Sequence, residues 1–187
     1  MSCDYSPVDS RCAAGERCDP SRGCVSECSE MPCRLVSPQC GCGVGQGCYL
    51  SGSARTCAVA GTGALGVACT TVNDCAPGFG CLGISADASR VINQCYTHCD
   101  VDGDCPAGSI CGGINDATGM PISGAGACSV GCDLGTGGGC VAGGRCTAYQ
   151  ETGGTMRWYT DCVGPVGAGG RGAACTNVLD CQAGYAC

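Results

Sequence analysis

Three clusters in this chain have residue types and spacing that could do chemistry. Cys99-Asp100-Val101-Asp102-Gly103-Asp104-Cys105 sets carboxylates at alternate positions, as the start of a calcium loop does, because a hard cation takes several oxygens from a flexible turn. The bidentate glutamate that closes an EF-hand loop is absent, and Asp74 and Asp180 also stand directly before a cysteine. Turn capping, with the carboxylate accepting backbone N–H bonds, is therefore preferred to calcium at Asp100, Asp102 and Asp104. His98 is the only imidazole and sits in the spacer Tyr96-Thr97-His98, whose counterparts are Val25-Ser26-Glu27 and Ser129-Val130-Gly131. That spacer takes any residue type, so His98 is expected to be solvent-exposed rather than catalytic or metal-binding. Arg157, Trp158 and Tyr159 are of types favoured at binding hot spots and form a candidate binding tip. The preferred reading instead lays Trp158 over the underside of its own hairpin.

The rest of the chemistry is sulfur. The 187 residues include 25 Cys and 35 Gly, against only 26 Leu, Ile, Val and Phe together, so cross-links must replace a missing core. All nine basic residues are Arg and the net charge is −7, which leaves no basic stripe for nucleic acid. With a single histidine, a Ser-His-Asp triad has one possible centre, and no enzyme activity is expected. Zinc and iron–sulfur sites favour C-x-x-C pairs, of which the chain has none. Disulfides remain, and they place the protein in a secreted, extracellular or cell-surface setting. Met1-Ser2-Cys3-Asp4-Tyr5 enters the cysteine framework at once, so a signal peptide is expected to lie outside this numbering. No run approaches 18 apolar residues, so no membrane insertion is expected, and no N-x-[ST] sequon occurs.

The elements that position these residues are repeats. C-x-x-G-x-x-C occurs at Cys12, Cys42, Cys75, Cys105, Cys140 and Cys181. A cysteine precedes each copy and another follows the first five, giving a four-cysteine unit a, b, c, d. The units span 3–24, 28–57 with six cysteines, 69–95, 99–128, 132–162 and the incomplete 175–187, with Gly-rich linkers at 58–68 and 163–174. Cys181 is left without a partner, which is expected to lie beyond residue 187. Gly66 to Cys75 recurs at Gly172 to Cys181 with a shift of 106 residues, so three units make a superperiod.

The glycine between b and c suits a turn with positive φ. Between c and d, Thr147–Glu151 and Met156–Thr160 flank Thr152-Gly153-Gly154-Thr155, a strand–turn–strand signal repeated in the third unit around residues 86–89. The predicted fold class is small and disulfide-rich, mostly β-hairpins and loops with little helix, strung as a tandem-repeat rod whose units contact mainly their neighbours. Three-residue junctions should be rigid and the Gly-rich linkers should flex.

The frame C-x5-C-x-x-G-x-x-C, intact at Cys69 to Cys81, Cys99 to Cys111 and Cys175 to Cys187 and followed by a hairpin and a fourth cysteine, resembles tandem EGF-like modules and the Dickkopf-type cysteine-rich repeats of secreted bacterial proteins. A fifth and sixth cysteine, which an EGF module adds, are missing from these units. Four cysteines allow three connectivities. The resemblance implies a–c with b–d: Cys69 with Cys81 and Cys75 with Cys95, Cys99 with Cys111 and Cys105 with Cys128, Cys132 with Cys146 and Cys140 with Cys162. The six cysteines of residues 28–57 are expected to pair among themselves. A stiff, slightly acidic array suggests an extracellular structural element, such as a fibre, appendage or surface stalk, whose partners are copies of itself or other surface proteins. An adhesin or ligand-binding array is the alternative, and a tandem protease inhibitor the third.

Overall fold

A computed structural model describes residues 16–19, 23–26, 28, 30, 32–87, 90–151 and 156–185. Most of the first unit, residues 88–89 and 152–155, and Cys187 lie outside the described residues. Described strands form five two-stranded antiparallel hairpins: β1 Glu16–Asp19 with β2 Gly23–Ser26, β3 Gln46–Ser51 with β4 Ala54–Val59, β5 Phe79–Asp87 with β6 Arg90–Thr97, β7 Cys111–Asn115 with β8 Pro121–Cys128, and β9 Arg145–Gln150 with β10 Trp158–Val163. Among the described residues helix is confined to the three-residue 3-10 turns Val72–Asp74, Asp102–Asp104 and Val178–Asp180. Among the described residues no helix is long and apolar enough to cross a membrane.

In units two to five the hairpin sets its c and d cysteines directly opposite, as in Cys48 against Cys57 and Cys81 against Cys95, yet neither bonds the other. Both reach back along the chain. Units three, four and five bond Cys69 to Cys81 and Cys75 to Cys95, Cys99 to Cys111 and Cys105 to Cys128, Cys132 to Cys146 and Cys140 to Cys162. Unit two bonds Cys33 to Cys48 and Cys42 to Cys57 in the same order, and Cys28 to Cys40 besides. Within a unit the two bridges lie side by side, with three sulfurs inside 4.8 Å of one another. In unit three Cys69, Cys75 and Cys95 are the buried cluster, with Phe79 and Cys81 packed against it among the described residues, so the disulfides are the core.

The b–c glycines adopt the left-handed conformation, with φ of 75° at Gly45, 92° at Gly78, 87° at Gly108, 83° at Gly143 and 84° at Gly184. Before b, an aspartate closes the 3-10 turn. Asp74 accepts from the N–H groups of Thr70 at 2.7 Å and Thr71 at 2.8 Å, and Asp180 from Thr176 and Asn177 at 2.9 Å each. These bonds to the charged form hold the Asp74 carboxyl well below the usual carboxylate range.

The Gly-rich linkers, expected from composition to flex, are docked on the unit that follows each of them. Gly63 pairs in parallel with Cys75 and Gly169 with Cys181, the same docking 106 residues apart. Gly63 N–H donates to the Asp74 carbonyl at 2.9 Å and Gly169 N–H to the Asp180 carbonyl at 3.1 Å. Glycine is required there because the linker backbone lies against the backbone before b: a Cβ on Gly61 would sit 2.2 Å from the Asn73 carbonyl oxygen, and one on Gly167 2.3 Å from that of Asp180. The linker is thus a third extended segment fastened to the unit that follows it. Tyr49 of β3, fully buried, secures the first linker by donating its hydroxyl to the Cys75 carbonyl at 2.8 Å and accepting from Gly61 N–H at 3.1 Å. Tyr49→Phe removes both bonds and is expected to lower stability by about 1–3 kcal/mol in thermal melts of the oxidised protein.

Added to neighbour contacts are contacts between second neighbours. Cys33, Leu35, Cys48 and Leu50 of unit two share a cluster with Ala125, Ile114 and Ile122 of unit four. Across the same face Arg55, which is ion-paired with Glu30, donates to the Gly124 carbonyl at 2.7 Å, and Arg34 pairs with Asp100 at 3.2 Å. Unit three meets unit five where Tyr96 and Leu82 pack with Val130, Cys132, Cys146 and Cys162.

Candidate functional site

The three carboxylates of the calcium-like loop are committed elsewhere. Asp104 accepts from the N–H groups of Asp100 at 2.8 Å and Val101 at 3.1 Å, the same cap that Asp74 makes. Asp102 accepts from Cys111 N–H at 2.8 Å and from Arg157 at 2.7 Å, and Asp100 faces Arg34. Five separate donors take up their oxygens, and the three carboxylates do not gather as one ligand set. The cysteine triads that bring sulfurs together are all in bridges, so they offer no thiolate while the bridges stand.

His98 is not the exposed spacer residue that its neighbours suggested, being 1 % exposed. The spacer is wedged between two hairpins: His98 bridges to Ala127 of β8, and its N–H donates to the Gly78 carbonyl at 2.9 Å. In the second tight junction Ser129 and Val130 are buried in the same way. The His98 Nδ1 lies 3.2 Å from the Gly126 carbonyl and so carries the proton, while Nε2 has no hydrogen-bond partner. A Cβ on Gly80 would come within 2.6 Å of that Nε2, so Gly80 makes room for the ring. Burial holds the imidazole below its ordinary value of 6.5.

The binding tip divides in two. Trp158 is 70 % exposed and does not cover its hairpin, because its neighbour on the opposite face, Tyr159, takes the inward position and stacks on Tyr149 at 5.6 Å. Arg157 bonds Glu151 at 3.2 Å as well as Asp102, tying unit five to unit four. Cys181, whose partner is expected beyond residue 187, is a free thiol and a buried one, with the linker residue Gly169 alongside it. Cys175 is disulfide-bonded.

Tyr159 faces a cleft of about 540 Å3 where units three, four and five meet, walled by Leu82, Tyr96, Ile110, Ile114 and Asn115, with Asp161 in its lining. Asp161 belongs to β10 but is only 4 % exposed, because Asp161, Cys162 and Val163 are buried in succession where both faces of the strand are covered. Its Oδ1 accepts from Cys162 N–H at 2.8 Å, Tyr96 hydroxyl at 3.2 Å and Val130 N–H at 3.3 Å. Burial is the largest influence on its carboxyl and pushes it up to about 6, against the lowering by these three bonds. Burial and the Asp161 charge in turn raise the hydroxyls of Tyr96, Tyr149 and Tyr159, so the tyrosines stay neutral. A buried carboxyl of this kind can hold or release a proton near pH 6 and can pair with a cation. Neither Asp161 nor Tyr96 stood out in the sequence, because each is one residue beside a d cysteine and the cleft forms only when three units meet.

The pH dependence follows from these signs. Folded Asp161 keeps a proton that the unfolded chain gives up at the ordinary value of 3.8, so its contribution to stability is full below 3.8 and is lost as pH rises to about 6. His98 acts oppositely, costing stability as pH falls below 6.5. In urea titrations of the oxidised protein, wild type is expected to lose ground to Asp161→Asn between pH 4 and pH 6. A difference that stays flat over that interval would refute the burial of Asp161.

No family model, no curated protein and no solved structure matches the chain.

Proposed function

We propose that this chain is an extracellular structural element, a disulfide-stapled stalk or fibre segment assembled from bracing units. The observation that carries the reading is the second-neighbour packing of unit two on unit four and unit three on unit five. A single file of modules bends at every junction, whereas an array two units wide bends only by breaking apolar clusters and ion pairs on one side. Independent ligand-capturing modules need no such bracing. The linker docking that recurs at 106 residues supports the same reading, because it lets the arrangement be extended by repetition without a new interface. Bridges that replace a core suit an oxidising compartment, which supports an extracellular location. The four-cysteine units are compatible with a distant relation to EGF-like or Dickkopf-type modules. Partners on this reading are further copies or other surface proteins.

Electron microscopy and sedimentation of the native, unreduced protein test it. Filaments or elongated particles are expected. A compact monomer that neither assembles nor extends would overturn the proposal.

A further inference from the structure

Beyond a scaffold role, and independently of it, we propose that the cleft between units three, four and five binds a lysine or arginine side chain presented by an extended segment of a partner protein, with Asp161 as its counter-ion. Asp161 is buried to 4 % exposure, and its three bonds within the protein all fall on Oδ1. Oδ2 accepts from no described residue, although an ionised carboxylate can take up several donors and a buried one without a cation is costly.

Among the described residues none supplies the cation to the cleft. Lysine is absent. No arginine lines the cleft: Arg157 is engaged by Asp102 and Glu151, Arg34 by Asp100 and Arg55 by Glu30, while Arg145, on β9 opposite Val163, lies outside the lining. Tyr96 and Tyr159 stand in the lining as aromatic residues of the kind that attract an ammonium or guanidinium. A net charge of −7 favours approach by a basic partner.

The walls suit an extended peptide. β7 contributes Gly112 and Gly113 to the cleft, and as half of a two-stranded sheet it has one edge with no partner strand among the described residues. A Cβ added to Gly113 would meet nothing within 4 Å, and one on Gly112 only the Ala127 carbonyl at 3.8 Å. Internal packing therefore does not demand these glycines, and their bare backbone leaves room for another strand to lie against β7. Burial that raises the Asp161 carboxyl is the state a bound cation would relieve; the other titratable groups facing it are Tyr96, Tyr149 and Tyr159, with Asp116 in the cleft wall.

The probe is the peptide acetyl-Thr-Val-Lys-Val-Thr-amide, compared with its norleucine counterpart by calorimetry or chemical-shift titration at pH 7.5 on the oxidised protein. The lysine peptide is expected to bind at least about tenfold more tightly than the norleucine peptide, and Asp161→Asn to erase that preference while keeping an oxygen for the three internal bonds. Gly113→Val, whose side chain enters the open space over β7, is expected to weaken both peptides by about tenfold while leaving the charge in place. Equal affinity for the two peptides, or undiminished lysine preference in Asp161→Asn, overturns the proposal. Tight binding unaffected by Gly113→Val overturns the strand-pairing part of it.

Discussion

Cys75→Ala combined with Cys95→Ala is expected to unfold the third unit and loosen its neighbours, lowering stability by at least about 3 kcal/mol from chain entropy alone. The bridge closes a separation of 20 residues, and both cysteines are fully buried. The usual large-to-small penalty is compounded here, because the buried apolar cluster consists of these cysteines with Cys69, and the partly buried hydrophobics described against it are Phe79 and Cys81. Neighbours suffer because unit three holds them through backbone atoms next to the bridge. The Cys75 carbonyl takes the Tyr49 hydroxyl of unit two, Cys95 N–H donates to the Val67 carbonyl of the linker, and Tyr96 reaches Asp161 of unit five. Calorimetry of the purified variant would show a lowered and broadened transition. A single transition at the wild-type temperature would mean that apolar contacts between units, not the bridges, carry the fold.

Gly61→Ala is the second large effect. The added methyl would stand 2.2 Å from the Asn73 carbonyl oxygen and 2.6 Å from the Asp74 carbonyl carbon, both rigid backbone atoms. Overpacking of this kind costs about 1–3 kcal/mol, and more where the backbone has no room to move. Gly170→Ala, in the second linker but with nothing within 4 Å of the added carbon, supplies the control and is expected to change stability by less than about 0.5 kcal/mol. Flexible hinges would tolerate both substitutions equally, so similar melting temperatures for the two variants would restore the hinge reading. Gly167→Ala should behave as Gly61→Ala does, since its Cβ meets Asp180 as closely.

Much of this architecture was legible in the cysteines. Their spacing defines the units, sets c and d at the two ends of each hairpin, and places a positive-φ glycine between b and c, as at Gly78 and Gly143. The aspartate before b announces its cap equally well, because a carboxylate three or four residues after two free N–H groups has an obvious use at Asp74, Asp104 and Asp180. These features are local. A short loop closed by a covalent bond has few conformations, and the residues that build it sit within about one turn of one another.

Tertiary structure decided what happens between units. Composition makes the linker glycines look like flexible joints, but Gly61 and Gly167 are glycine because another backbone passes within contact distance. Nothing in Tyr96-Thr97-His98 separates an exposed spacer from a buried wedge; Gly80 and Gly126, from two different hairpins, make the difference. The aromatic pair at 158 and 159 is equally silent, since alternation along a strand puts one ring outward and one inward without saying which face another unit will cover. Asp161 and its cleft come from units three, four and five meeting, so no window of sequence contains them. A two-stranded hairpin has two faces and two free edges, and its pattern of residues does not say which are covered. The covalent frame is encoded by spacing along the chain, whereas burial, and with it the chemistry of Asp161 and His98, is set by which faces the assembled units press together.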